Sequence, residues 1–407
     1  MSTYRHDALQ YGLALSILAI ATCDRASSPT GLVVWDSSGV RIVEISPSPW
    51  TSSAFGTIRP QPIFDIGDVN GPWEYQFDHI IGVVRLRDGS VVVADAGSGQ
   101  IRMFDGVGKL VSATGQPGGG PGEYRQIASM GLGPGDSLWV YDFGARRFTV
   151  LDKHGDLVRT VNMGTELANI GAVGRLTDGS FVIREYWSSR LQRDAGELGL
   201  IRTVTAVARV TPTGQLADTI GLFLGREVYL GTENGRGVMS APPFAHTTNL
   251  ALRADTVLVG EQSSFEVKEY TAKGRLQAIL RTPDVELRLS EADVAAYIEH
   301  QVSSLPPEDR AMRRRYWESL GVPETRPAYG DLKVDRDGNL WIAEYVVPDQ
   351  PARRWVVFGP DGSVKGLVLV PARFTVYDIG RDWIVGVWRD ELDVEHVQMY
   401  ELARSGA

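Results

Sequence analysis

Six histidines, one cysteine and many scattered carboxylates are the side chains of this 407-residue chain best suited to catalysis or metal binding. Their spacing argues against most such chemistry. His6, His79, His154, His246, His300 and His396 form no HxH or HExxH pair, and the lone Cys23 rules out CxxC, so a zinc centre has no basis in the sequence. No GxSxG places a serine on a nucleophile elbow. The glycine-rich stretch GQPGGGPGEY (115–124) lacks a Lys-Ser/Thr ending and opens no helical pattern, so it reads as a tight chain crossing and not a phosphate loop. Arg310, Arg313, Arg314 and Arg315 form the one basic patch. It reads as a solvated helix face, with an anionic partner as the alternative. The net charge of −9 and pI near 5.3 argue against nucleic-acid binding, which needs a basic footprint.

What positions these residues is a repeat. RLRDGSVVVADAGSGQIRMFDGVGKL (85–110) returns as LGPGDSLWVYDFGARRFTVLDKHGDL (132–157), LRADTVLVGEQSSFEVKEYTAKGRL (252–276) and VDRDGNLWIAEYVVPDQPARRWVVFGPDGSV (334–364). Each copy is a turn, a β-rich run ending in an acid, a second β run and a Gly turn. An all-strand period of roughly 40–50 residues marks a radial β architecture. Ser90, Ser137, Ser180, Thr256, Asn339 and Trp383 align at the opening of the second strand, which gives six units. The sixth lacks an outer strand, and GLVVWDSSGVRIVEI (31–45) is expected to supply it and close the ring. Most of the ten tryptophans are expected to fill the wedges between blades. Residues 290–320 read as a helical insert: Ser290 and Asp293 form a near capping box, and Pro306-Pro307 starts a second helix that ends at Gly321.

The N-terminus carries an apolar run, Ala8–Ala21, too short to span a bilayer as a stable helix. Ile20-Ala21-Thr22-Cys23 is similar to a bacterial lipobox, although Thr22 departs from its pattern. Residues 1–22 therefore read as a lipoprotein-type signal peptide, Cys23 as the lipidated residue, 23–30 as a polar tether and 31–404 as a single domain.

The units resemble NHL-type repeats, and the chain from about 30 to 404 resembles the bacterial "6-bladed beta-propeller" family of exported proteins and lipoproteins. DSSGVRIVE (36–44), TGQPGGGPGEY (114–124) and DELDVEHVQMYEL (390–402) carry that resemblance. It implies an all-β fold, a six-bladed β-propeller with the helical insert between blades four and five, at the cell envelope and joined to the membrane through the N-terminal lipid only. It implies no activity.

In a four-stranded blade the B–C loops and the D–A crossings share one face. The inserts at 186–203 and 346–354, the GGGPGEY crossing, the long 222–243 stretch and the helical pair all belong to it, so function is expected there. The acids ending the second strands, Asp95, Asp142, Glu185, Glu261 and Glu344, recur too regularly for a ligand site and read as turn caps. Where the copies disagree is more informative. The columns opening the innermost strands bring His79, Gln126, Asn169, His246, Tyr329, Asp331 and Arg373 toward one channel mouth, a cluster suited to a polar or anionic small molecule. The expectation is a monomeric binding or scaffold module for an unidentified small molecule or envelope protein, with no cofactor. The alternative is a calcium-dependent hydrolase or lyase. Six-bladed lactonases hold calcium through Glu, Asn and Asp at the channel mouth, and Asn169, Asn249 and Asp331 would stand in here, although no motif of that family is present.

Overall fold

The second strand of each repeat is apolar at nearly every position, and the fold explains why. In the computed structural model, Val91 and Val93 face blade six while Val92 and Ala94 face blade two, so both sides of the strand are buried. The structure describes residues 26–27, 31–164, 167, 169–185, 199–233, 236–283, 285–345 and 350–404. The signal peptide and Cys23 fall outside this range.

Six β-sheets, antiparallel within each blade, form a β-propeller. Their innermost strands are Ile80–Arg85, Ile127–Leu132, Ile170–Arg175, Asn249–Arg253, Leu332–Val334 and Phe374–Ile379. Six apolar clusters hold the ring together, each between two adjacent blades. Trp139, Trp341, Trp355 and Trp383 belong to these wedges, and Trp50 and Trp388 pack against them.

The ring is closed by a different strand from the one the sequence suggested. Gly56–Ile66 pairs with Glu395–Arg404 as the outer strand of blade six, with Leu402 opposite Ile58 and Val397 opposite Ile66. Phe64 and Ile66 enter the core, while Pro60 is exposed on the free edge, where a missing N–H costs no ladder bond. The 31–45 hairpin goes instead to the outside of blade four, Val40–Ile45 running parallel to Leu276–Arg281. Ala26–Ser27, within the presumed tether, pairs with Val33 and Val34 of the same hairpin.

Blade three also departs from expectation. The stretch 222–243 is mostly strand: Leu216–Glu233 pairs with Gly199–Val210 and folds back through Arg236–Ser240 into a long β-arm. Gly225 permits part of this, because a Cβ there would sit 2.3 Å from Thr203 Oγ1. Of the two expected B–C inserts, 186–198 and 346–349 lie outside the described residues.

The helical insert forms as expected, as α1 (Glu291–Ser303) and α2 (Pro307–Ser319). The Ser290 hydroxyl accepts from the Asp293 N–H at 3.1 Å and the Asp293 carboxylate accepts from the Ser290 N–H at 2.9 Å, completing the capping box. Tyr297 of α1 packs on Phe244 of the crossing into blade four, and Phe244 on Tyr345 of blade five, so the insert covers the face that carries the B–C loops. The arginine patch is engaged within the insert: Arg310 donates to Ser303 O and Leu305 O at the end of α1, and Arg314 pairs with Glu299.

Candidate ligand-binding cleft

A cleft of about 780 Å³ opens on this face where blade six meets blade one. One wall is the crossing 68–79, which leads from the closing strand into blade one. The opposite wall is Arg389 with Asp393–Glu395 of blade six, and the floor is the B–C turn of blade one from Asp95 to Arg102.

The crossing folds on itself first. The Asp68 carboxylate accepts from the Asn70 N–H at 2.9 Å, the Asp68 N–H donates to Tyr75 O at 2.9 Å, and Gln76 Nε2 donates to Gly71 O at 2.7 Å. Pro72 then leads into a single 3₁₀ turn, Trp73–Tyr75. Arg102 clamps this unit to the blade. Its guanidinium is buried, lies 3.1 Å from Asp95 and donates to the carbonyls of Trp73, Glu74 and Gln76. Burial pulls the Arg102 pKa down, and the charges of Asp95 and Glu74 oppose that shift. Asp95 in turn accepts from the Asp78 N–H at 3.1 Å and the Ser98 hydroxyl at 2.7 Å. Across the cleft, buried Glu395 accepts from the Ile80 N–H at 2.7 Å and from Arg389, strapping blade six to blade one.

These contacts explain the recurring acids. Asp142 accepts from the N–H groups of Arg125, Gln126 and Ala145, Glu261 from the Leu224 N–H, and Glu344 pairs with Arg354. Each of these four, Asp95 included, ties its own B–C turn or a neighbouring strand into place.

The seven residues expected at one mouth fall in different environments. His79 lines the cleft, with its backbone at φ 66°. Gln126, Asn169 and Arg373 are exposed on the same face but do not line it. Asp331 opens onto a separate pocket of about 100 Å³ beside Arg353 and Trp355. His246 and Tyr329 are buried, which corrects the expectation for both. Strand one begins only at Asn249 in blade four and Leu332 in blade five, so these side chains fall in the longer crossings before it. His246 Nδ1 lies 2.6 Å from Glu227, and its Nε2 is 3.4 Å from the Thr325 hydroxyl. Tyr329 is fully buried in the wedge between blades four and five, edge-on to Phe265, and donates to Glu266 O at 3.1 Å. Asn249 is engaged as well, donating to Gly330 O at 2.6 Å. Among the described residues no three His, Cys, Asp or Glu side chains gather as a metal ion would require.

Sequence reasoning missed Trp73, Asp78, Arg389 and Glu395, yet a signal for the first was present. Gly71-Pro72-Trp73-Glu74-Tyr75 in the crossing into blade one repeats Gly120-Pro121-Gly122-Glu123-Tyr124 in the crossing into blade two. The second copy is clamped in the same way, by Arg147 donating to the carbonyls of Gly119, Gly120 and Glu123. Where one copy has Gly122, the other presents an indole that is 53% exposed. Arg102 sits 5.5 Å from the centre of that ring. Asp78 is exposed, and among the described residues its carboxylate has no hydrogen bond or ion pair. It lies over Gly97, where a Cβ would come within 2.3 Å of its Oδ2.

Comparison with known proteins agrees with this architecture. Residues 78–178 match the family described as "6-bladed beta-propeller", which covers blades one and two and the start of blade three. The chain is thus a six-bladed β-propeller. A member of the DUF4221 family from Bacteroides vulgatus shares the fold at 10% identity and a TM-score of 0.50, covering 84% of this chain and 97% of that one. A Bacteroides fragilis protein described as exported aligns at 10% identity and a TM-score of 0.49, over 89% of this chain and 100% of its own. Virginiamycin B lyase from Staphylococcus aureus aligns at 11% identity and 0.41, over 83% of this chain and 98% of its own. No curated protein matches the sequence. At such identities the likeness extends to the fold and not to an activity.

Proposed function

We propose that this chain is an exported, lipid-anchored β-propeller whose function is to bind a small ligand in the cleft between blades six and one. The observation that carries this reading is the cleft itself. Its volume lies in the range of small-molecule sites, and the buried Arg102–Asp95 pair and the part-exposed Arg389–Glu395 pair hold its walls before any ligand arrives. The exposed face of the Trp73 indole and the Asp78 carboxylate supply surface for a ligand. Export and anchoring rest on the Ala8–Ala21 run followed by Cys23.

Thermal-shift screening of a metabolite library against the full chain tests the cleft, with Trp73→Ala run in parallel. The expected result is a compound that stabilises the parent and leaves the variant unmoved. If every stabilising compound acts equally on both, the cleft is not the binding site. For the anchor, labelled palmitate is expected in the parent and absent from Cys23→Ser. Labelling that survives the substitution overturns the lipoprotein reading.

A further inference from the structure

We infer that the ligand of this cleft is an organic cation, an amine or quaternary ammonium carried on a compact body. The inference rests on the cleft being the binding site and goes further by naming the ligand class. Five carboxylates line the cleft against two guanidiniums. Both guanidiniums are committed: Arg102 to Asp95 and three carbonyls, and Arg389 to Glu395 with Asp393 at 3.5 Å. What remains open is Asp78, Asp68 with a single backbone contact, the imidazole of His79 and the free face of Trp73.

These groups discriminate by charge. An anion entering here meets carboxylates, and among the described lining residues both guanidiniums are already paired, while like charges brought together at close range repel strongly. A neutral ligand that covers Asp78 strips water from a carboxylate and offers it no charge in return. A cation pairs with Asp78 and lies against the indole, whose ring face attracts positive charge. Arg102 already shows this preference on one side of Trp73 and, at 5.3 Å, over Phe77. The crossing into blade two carries the same clamp but has Gly122 where the indole would be, so the aromatic surface is an addition to the scaffold and not part of it.

Calorimetric titration of the full chain with spermidine and with tetramethylammonium, at low salt, tests the assignment. Triacetylated spermidine, which lacks the charges, is the control. Spermidine or tetramethylammonium is expected to bind and the triacetylated form is not. Trp73→Ala and Asp78→Asn should each weaken binding by about tenfold. Both side chains are exposed and Trp73 meets the scaffold through one ring face against Arg102, so melting temperatures near the parent value will show that the variants are folded. Raising salt from about 50 to about 500 mM should weaken binding further, because it screens the carboxylates. Failure of both cations to bind overturns the inference, as does binding that ignores both substitutions. A neutral or anionic compound that requires Trp73 would leave the cleft as the site and remove only the cation.

Discussion

Arg102→Ala is the perturbation that separates the scaffold of the cleft from its surface. Arg102 and Asp95 are both almost wholly buried, with side-chain exposures of 4% and 1%. Breaking such a pair by removing one partner costs about 3–5 kcal/mol, because the other charge stays buried without compensation. Three carbonyls also lose a charged donor, and each such bond contributes about 1.5–3 kcal/mol when its partner cannot be replaced. The carbonyls border an open cleft, so water takes over much of that share, and a loss of about 4 kcal/mol is expected. Denaturant unfolding, followed through tryptophan fluorescence, measures it. Arg102→Lys keeps the charge but not the fork, and should fall between parent and alanine. The Asp95→Ala/Arg102→Ala double variant should lose less than the sum of the single losses, since neither partner remains to be stranded. A loss below about 1 kcal/mol for Arg102→Ala, with ligand binding unchanged, would refute the argument that this residue braces the crossing.

Two further outcomes follow from the fold. Removing residues 1–55 detaches the hairpin on blade four but leaves the ring closed, so unfolding should stay cooperative at reduced stability. Extending the deletion through residue 66 removes the outer strand of blade six and should abolish the cooperative transition. Equal behaviour of the two truncations would show that Gly56–Ile66 is not the closure. Glu227 contributes to the acid limb. Burial alone would raise its carboxyl, but the hydrogen bonds and charge of His246, joined by Arg202, outweigh burial and hold it below its ordinary 4.5. Its contribution is therefore complete above that value and is lost as pH falls through the depressed folded value. The parent should lose stability more steeply than Glu227→Gln below pH 4.5, and parallel curves would contradict the pairing.

What the sequence made legible was local. The second strands, the turn glycines and the capped helix were all readable because each is decided within a few residues. The closing strand was not. GTIRPQPIFDI alternates less cleanly than the 31–45 hairpin, and its two prolines argue against a strand unless the strand lies at an edge. The β-arm of blade three was obscured by Gly221, Gly225 and Gly231, which look like loop residues until the partner strand is in view. For the site, the search for columns where the copies disagree found His79, which lines the cleft, but not the residues around it. It pointed to His246 and Tyr329, whose crossings are longer and whose side chains turn inward. A further disagreement, Trp73 against Gly122, lies in a crossing outside the aligned repeat and borders the cleft.

The position of the seam has a thermodynamic consequence. Blade six is assembled from two segments far apart in the chain, residues 56–66 and 374–404, and the cleft lies at the adjoining junction with blade one. Asp68 and Trp73 follow directly from the closing strand, while Arg389 and Glu395 belong to the strands it completes. A molecule held between them is bound only when the circle is shut. Its occupancy therefore acts as a clasp, adding RT ln(1 + [L]/Kd) to the cost of opening, about 2.7 kcal/mol at a hundredfold excess over Kd. The same event that fills the cleft would make the whole ring harder to open.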